Sequence, residues 1–239
     1  MIGDSNEKDK KDLSDETTSN VKALFYGASA AIAVIYGHKF YKRVLCRVPT
    51  SLDIPKRTYR HRYLYGKVTS VGDGDNFRFY HLPGGYRGGW GWIRKIPEIN
   101  KFKELKGQTI HVRLCGVDAP ERAHFGNPAQ PFGDEALAWL RSYILGRKVY
   151  VKPLHMDQYK RTVSKVEVLK WNGYRDVSAE MIKAGLGTVY EAKVGAEFDG
   201  REMIYRHYEK KAKRRRLGIW SIPARRRMSP RQYKNKYSR

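Results

Sequence analysis

Tyr63-Leu-Tyr-Gly-Lys-Val-Thr-Ser-Val71, Gly72-Asp-Gly-Asp75 and Asn76-Phe-Arg-Phe-Tyr80 form the stretch that decides the fold. The first piece is rich in β-branched and aromatic residues, which suit a pleated, half-buried surface. The second is a turn signal. The third begins by alternating polar and apolar residues, so the whole predicts a β-hairpin. Working outward, Thr109–Val117, Lys148–Lys152 and Val163–Leu169 predict three more strands. Helical periodicity occurs in three places. Gly133–Leu145 puts Ala136, Leu137, Leu140 and Ile144 on one face. Ser178–Ala184 runs into Gly185, and Arg201–Arg216 stops before Gly218, both plausible helix ends. Five strands and three helices make an α+β fold and are compatible with a five-stranded barrel of the oligonucleotide-binding (OB) type with three packed helices, although the strand count alone does not single that fold out.

The 239 residues suit one domain of about 150 residues with extensions. Residues 1–20 are polar, with six acids and three lysines, and are expected to lack fixed structure. Residues 21–41 contain Ala23–Gly37, which carries no charge. As a helix this core spans roughly 22 Å, and Lys22, Lys39, Tyr36, Phe40 and Tyr41 could extend it by snorkelling or interfacial placement. A single membrane helix, a buried helix of the folded domain and a cleaved signal are the three readings. The acidic lead disfavours a cleaved signal. Residues 42–61, with Pro49 and Pro55, read as a linker. Residues 62–221 form the predicted barrel domain, and 222–239 a basic tail.

The formal charge of +24, from 48 Lys+Arg against 24 Asp+Glu, favours a polyanionic partner. It argues against a purely structural tether for other proteins. Residues 205–239 alone hold fourteen Lys+Arg and a single acid, Glu209. That segment is either a solvated arm or a phosphate contact whose affinity falls with salt. Two cysteines, Cys46 and Cys115, exclude a disulfide framework and a four-cysteine zinc site. Between residues 82 and 106 lies a Gly- and Trp-rich insertion, Gly88-Gly-Trp-Gly-Trp92. Its aromatics could pack back on the barrel, stack on bases or sit at a membrane interface.

Four clusters carry the chemistry: Asp73-Gly-Asp75, Arg113, Asp118-Ala-Pro-Glu121 and Arg161. Cleaving a phosphodiester requires a deprotonated water, neutralised charge on the phosphorane oxygens and a place for the leaving oxygen. Hard cations such as Ca²⁺ take oxygen ligands, so Asp75 and Asp118 are the expected metal pair. Asp73 is better suited to ordering the turn. Glu121, three residues beyond Asp118, is the candidate base. Arg113 and Arg161 offer planar forks for phosphate oxygens. Arg113 and Asp118 stand five apart, on opposite faces of a straight strand, so a bend or bulge near Gly116 is needed to bring them together.

At these residues the chain resembles the staphylococcal nuclease (thermonuclease) family. The matching stretches are Val71–Asp75, Val112–Glu121, Phe132–Ala136, Asp157–Arg161, Glu180–Leu186 and Leu217–Ser221. The membrane stretch and the Gly-Trp insertion are similar to a fungal, mitochondrial, membrane-anchored branch of its endonucleases. The resemblance implies an OB barrel and Ca²⁺-dependent cleavage of DNA or RNA. By matched position it implies catalytic Arg113, Glu121 and Arg161, Ca²⁺ ligands Asp75 and Asp118, and a substrate contact at Tyr159. A family threonine is Ala119 here, which keeps the backbone carbonyl, while a lysine is replaced by Gln158 and a glycine by Lys160. The expected partners are nucleic acid and, through the first helix, a membrane. The expected address is the mitochondrion, as a single-pass protein. The competing function is a membrane-anchored nucleic-acid-binding module without catalysis.

Overall fold

The computed structural model describes residues 4–123, 127–191 and 196–237, and it divides into two units, Met1–Cys46 and Arg47–Arg239. The ends of the expected polar lead (residues 1–3) and of the basic tail (238–239) lie outside the described residues.

The first unit is helical. Helix α1, Asp4–Phe40, runs unbroken through both the polar lead and the apolar stretch, and a π turn, Tyr41–Leu45, follows. The expectation of an unstructured lead is therefore corrected. No proline interrupts residues 4–40, so nothing in the backbone chemistry stops the helix short of the apolar stretch. From Thr18 to Phe40 the helix is apolar with no part of it buried. Those 23 residues measure about 34 Å, more than the apolar core alone suggests.

The second unit holds the barrel. Strands β1 (Leu64–Asp73) and β2 (Asn76–His81) form the predicted hairpin around Gly74-Asp75. A short helix α2 (Phe102–Leu105) leads to β3 (Ile110–Leu114) and β4 (Val117–Asp118). Helix α3 (Gly133–Ile144) precedes β5 (Lys148–Met156), β6 (Thr162–Lys170) and β7 (Gly173–Asp176). Then come α4 (Val177–Lys183), β8 (Thr188–Val189), α5 (Glu202–Arg214) and α6 (Pro230–Tyr237). The sheet order is β3-β2-β1-β5-β6-β7, and β3 also pairs in parallel with β6. That extra pairing closes β1, β2, β3, β6 and β5 into a ring, the expected five-stranded barrel, with β7 as an additional edge.

Alternation along the strands fills the barrel with Val68, Phe77, Phe79, Val112, Val149, Val151 and Val166, all fully buried. Gly66 is required opposite His81, because a side chain there would collide with the Phe79 ring and with the Tyr80 carbonyl. Helix α3 adds Ala136, Leu137, Leu140 and Ile144 to the same core, the face its periodicity predicts. Segment 42–61 is not simply a linker. Val48 and Ile54 are buried in the main core, and the Val48 N–H donates to His81 Nδ1 at 2.9 Å. The prolines lie beyond the helix end, in a segment packed on the barrel.

In the Gly-Trp insertion the two tryptophans part company. Trp90 is buried, packs edge-on against Tyr80 and donates from Nε1 to the Pro83 carbonyl at 3.0 Å. Trp92 stays exposed beside the exposed Tyr86.

Candidate active site

The site is assembled at the end of the barrel where β1 turns into β2. Asp73 pairs with Asn76 across a two-residue turn, and Asp73 Oδ1 accepts the Gly74 N–H at 2.9 Å. Asp73 thus orders the turn, as expected. Gly74 lets that turn press against its neighbours: a Cβ there would lie 2.6 Å from the Ala119 Cβ and 3.2 Å from that of Ala136. The Asp75 carbonyl accepts the Leu114 N–H at 2.9 Å, tying the turn to the end of β3. The absence of a side chain at residue 74 and this hydrogen bond together bring Asp75 beside the Arg113–Asp118 segment.

The bend required between Arg113 and Asp118 exists. Gly116 has φ +67° and sits where a Cβ would strike Tyr205 and Phe198 at 2.6–2.9 Å. The chain therefore leaves β3, turns at Cys115-Gly116 and re-enters as β4, where Asp118 pairs with Thr188 of β8. Arg113 Nη2 then lies 3.3 Å from Asp75 Oδ2 and 3.0 Å from Asp118 Oδ1. Burial opposes the charge of Arg113, but Asp75 and Asp118, with Tyr190 and Asp157 behind them, outweigh it and raise the guanidinium above its ordinary value. Arg113 stays charged throughout the working range.

Glu121 follows Pro120 in a loop fixed from two sides. Its N–H donates to Gln130 Oε1, and its carbonyl accepts the Gln130 N–H, both at 2.8 Å. The first residue of α3, Gly133, packs on the same carbonyl, leaving no space for a Cβ (2.8 Å). Arg161 comes from the turn between β5 and β6. Asp157 builds that turn by accepting the N–H groups of Tyr159 and Arg161 at 2.9 Å each. Asp157 Oδ2 also accepts Arg161 Nε at 2.7 Å. Burial pushes the Asp157 carboxyl up, but these bonds from Arg161 prevail and hold it below its ordinary value. Arg161 is thereby fixed by Nε, the nitrogen that a phosphate fork does not need. Tyr159 is exposed, its ring 5.1 Å from the Arg161 guanidinium carbon.

All six residues expected from the sequence, Asp75, Arg113, Asp118, Glu121, Tyr159 and Arg161, line one cleft of about 830 Å³. A smaller hollow of about 430 Å³ beside Trp220 and Met228 has no acid among its described lining residues, so the acids and arginines meet in the larger cleft instead. Several residues in the cleft or just behind it escape sequence reasoning. Tyr190, 5.3 Å from the Arg113 guanidinium, follows a two-residue strand too short to show periodicity. His111 is kept neutral, its pKa lowered to about 4 by burial and then by Arg78 and Arg161. Gln130 announces itself only through its contacts. Asp157 had a visible signal, an acid four residues before an arginine.

The donor chemistry also bears on a metal. Asp75 and Asp118 are buried all-oxygen donors converging on a single nitrogen. One guanidinium balances one carboxylate, so the pair retains a negative charge that fits a hard, oxygen-liganded divalent cation. Among the described residues no group of three or more His, Cys, Asp or Glu is poised to hold an ion. A cation here would complete its shell from water, backbone carbonyl or substrate.

An OB barrel that gathers acids and arginines in one cleft at its end defines a phosphodiester hydrolase of the nuclease class. The chain belongs to the staphylococcal nuclease homologue family, whose pattern its residues 111–222 match. Among curated proteins it is 55% identical over 218 residues to "Probable endonuclease LCL3" of Komagataella phaffii, covering 91% of this chain and 95% of that one. It is 52% identical over 219 residues to the protein of the same name in Meyerozyma guilliermondii, covering 91% and 95%. The Clavispora lusitaniae protein, also so named, is 58% identical over 203 residues, 84% of each chain.

Proposed function

We propose that this nuclease is a calcium-dependent endonuclease held at a membrane by α1. The observation that carries the catalytic part is the convergence of residues from four separate segments on one cleft. Asp75 and Asp118 would hold the ion, with the Ala119 carbonyl available beside them. A bound Ca²⁺ supplies positive charge next to the scissile phosphate and lowers the pKa of nearby water. Glu121 takes the proton from the attacking water. Arg113 and Arg161 hold the non-bridging oxygens and stabilise the charge that accumulates on them. Tyr159, exposed beside Arg161, contacts a base or sugar of the bound strand.

The membrane part is supported by the length and apolarity of Thr18–Phe40 and by the absence of burial along it. A mitochondrial address is carried over from the family resemblance. Cleavage of single- and double-stranded DNA and RNA by the full chain, with Ca²⁺ and then with chelator, tests the catalytic reading. Activity that persists in chelator or in Glu121→Gln defeats it. Carbonate extraction of mitochondrial membranes tests the tether, which predicts that the chain stays in the pellet.

A further inference from the structure

Helix α6 is an unexpected wall of the catalytic cleft. It falls within the segment read as a basic tail, and it lies beyond residue 222, where the family match ends. Arg231, Tyr233, Asn235 and Tyr237 line the same cleft as the acids and arginines. The helix is fastened there. Tyr233 donates its hydroxyl to the Pro128 carbonyl, and Arg231 Nη1 donates to the Glu191 carbonyl at 2.8 Å. The approach to α6 is tied to the candidate base. Gln130 Nε2 donates to the Met228 carbonyl at 3.1 Å, while Oε1 of the same side chain holds the Glu121 N–H at 2.8 Å.

We infer that α6 forms a substrate subsite for single-stranded nucleic acid, with Arg231 contacting a phosphate and Tyr237 stacking on an unpaired base. This rests on the nuclease reading of the cleft and names its substrate class. The chemistry repeats on two walls. The β5–β6 turn presents Arg161 beside the exposed Tyr159 ring, and α6 presents the exposed Arg231 and the half-buried Tyr237, whose ring centre lies 4.5 Å from that of the buried Tyr233. Guanidiniums beside accessible rings are the equipment of strand-tracking proteins: cations follow the backbone and rings accept bases in turn. In a duplex both faces of each internal base are already covered by its neighbours, so a tyrosine gains nothing unless the base leaves the stack. The cleft of about 830 Å³ has room for a nucleotide or two. The sequence misses this subsite because residues 222–239 show only charge, and the contacts that dock α6 go mostly to backbone carbonyls.

The test uses the full chain in detergent, a fluorescein-labelled single-stranded oligonucleotide and the same oligonucleotide annealed to its complement. Anisotropy in EDTA reads binding without cleavage, and a Ca²⁺ assay reads cleavage. The wild-type chain should bind the single strand more tightly than the duplex. Arg231→Gln with Tyr237→Ala should weaken single-strand binding about tenfold and duplex binding less than twofold. Tyr237→Phe should keep the preference, because it keeps the ring. Arg214→Gln, at an exposed position of α5, is the matched loss of charge and should leave the ratio unchanged. Unchanged single-strand affinity in the double variant, or an equal loss on both ligands, overturns the inference even if cleavage proceeds. If nothing is cleaved under any divalent ion while the double variant still loses single-strand binding, the nuclease reading fails and the subsite stands.

Discussion

Glu121 is held by its backbone on both sides, so the loop keeps these two anchors when its side chain is changed. Glu121→Gln should keep the fold, leave the melting temperature unchanged and cut kcat by about 10²–10⁴-fold, the range for loss of a general base. Nucleic-acid binding in EDTA should survive. Gly74 is a different case, because its lack of a side chain places Asp75. A Cβ there would meet Ala119 and Ala136 inside van der Waals distance. Gly74→Ala should destabilise by about 1–3 kcal/mol, as overpacking does, and, under the calcium reading proposed above, should raise the Ca²⁺ concentration needed for cleavage by displacing Asp75. Urea unfolding reads the first effect and a Ca²⁺ titration of cleavage the second. Lys160 shows the opposite logic. It sits at φ +59°, a left-handed conformation that suits glycine and strains a lysine. Lys160→Gly should therefore stabilise the chain by about 1 kcal/mol, measured as a higher urea midpoint at unchanged slope.

Among the elements, those with local periodicity are legible in the sequence. The β1–β2 hairpin, β5, β6 and the three packed helices all appear where alternation or a helical stripe predicts them. Barrel closure is not legible, because β3 and β6 pair in parallel across a long interval of chain and no local pattern records it. Strands β7 and β8 are too short for a period to show, at four and two residues. The set of residues that meets in the cleft is legible because acids and arginines are chemically distinctive. Gln130, Tyr190 and α6 are not, since their roles come from what folding places beside them. The docking of 47–54 onto the barrel is likewise invisible in sequence, yet it has a measurable signature. His81 is buried, and its Nδ1 accepts the Val48 N–H, so only the neutral ring fits. Burial, then Arg47 and Arg94, lower its pKa from 6.5 to about 4. The unfolded chain therefore takes up the proton first as pH falls. The stabilisation is complete above pH 6.5 and is lost progressively down to about pH 4. At 1.36 kcal/mol per unit this amounts to roughly 3 kcal/mol at most. Urea unfolding at pH 7 and pH 4.5 should show the loss, and His81→Gln should be less stable at pH 7 but flatter with pH.

At the scale of the whole molecule, the two units divide the labour. Among the described residues every buried apolar side chain lies at or beyond Val48, so Arg47–Arg239 contains its entire core. The apolar span contributes nothing to that core and presents its large side chains, from Val21 through Phe40, on every side. A helix apolar all round has no soluble surface to offer and gains by entering lipid. The nuclease unit, with its excess of Lys and Arg, gains instead by releasing counterions from nucleic acid. Removing residues 1–46 should therefore separate the two properties. The remaining chain should unfold cooperatively and keep its cleavage rate within about twofold at fixed salt. It should stay in the supernatant when spun with neutral phosphatidylcholine vesicles, while the full chain pellets. Neutral lipid matters here, because an anionic surface would also attract the basic unit. Raising salt from 50 to 200 mM should weaken nucleic-acid binding of both chains alike by at least about tenfold, since phosphate contacts carry that affinity. A truncated chain that fails to unfold cooperatively, or that pellets with neutral vesicles as the full chain does, would show that the core or the anchor lies elsewhere.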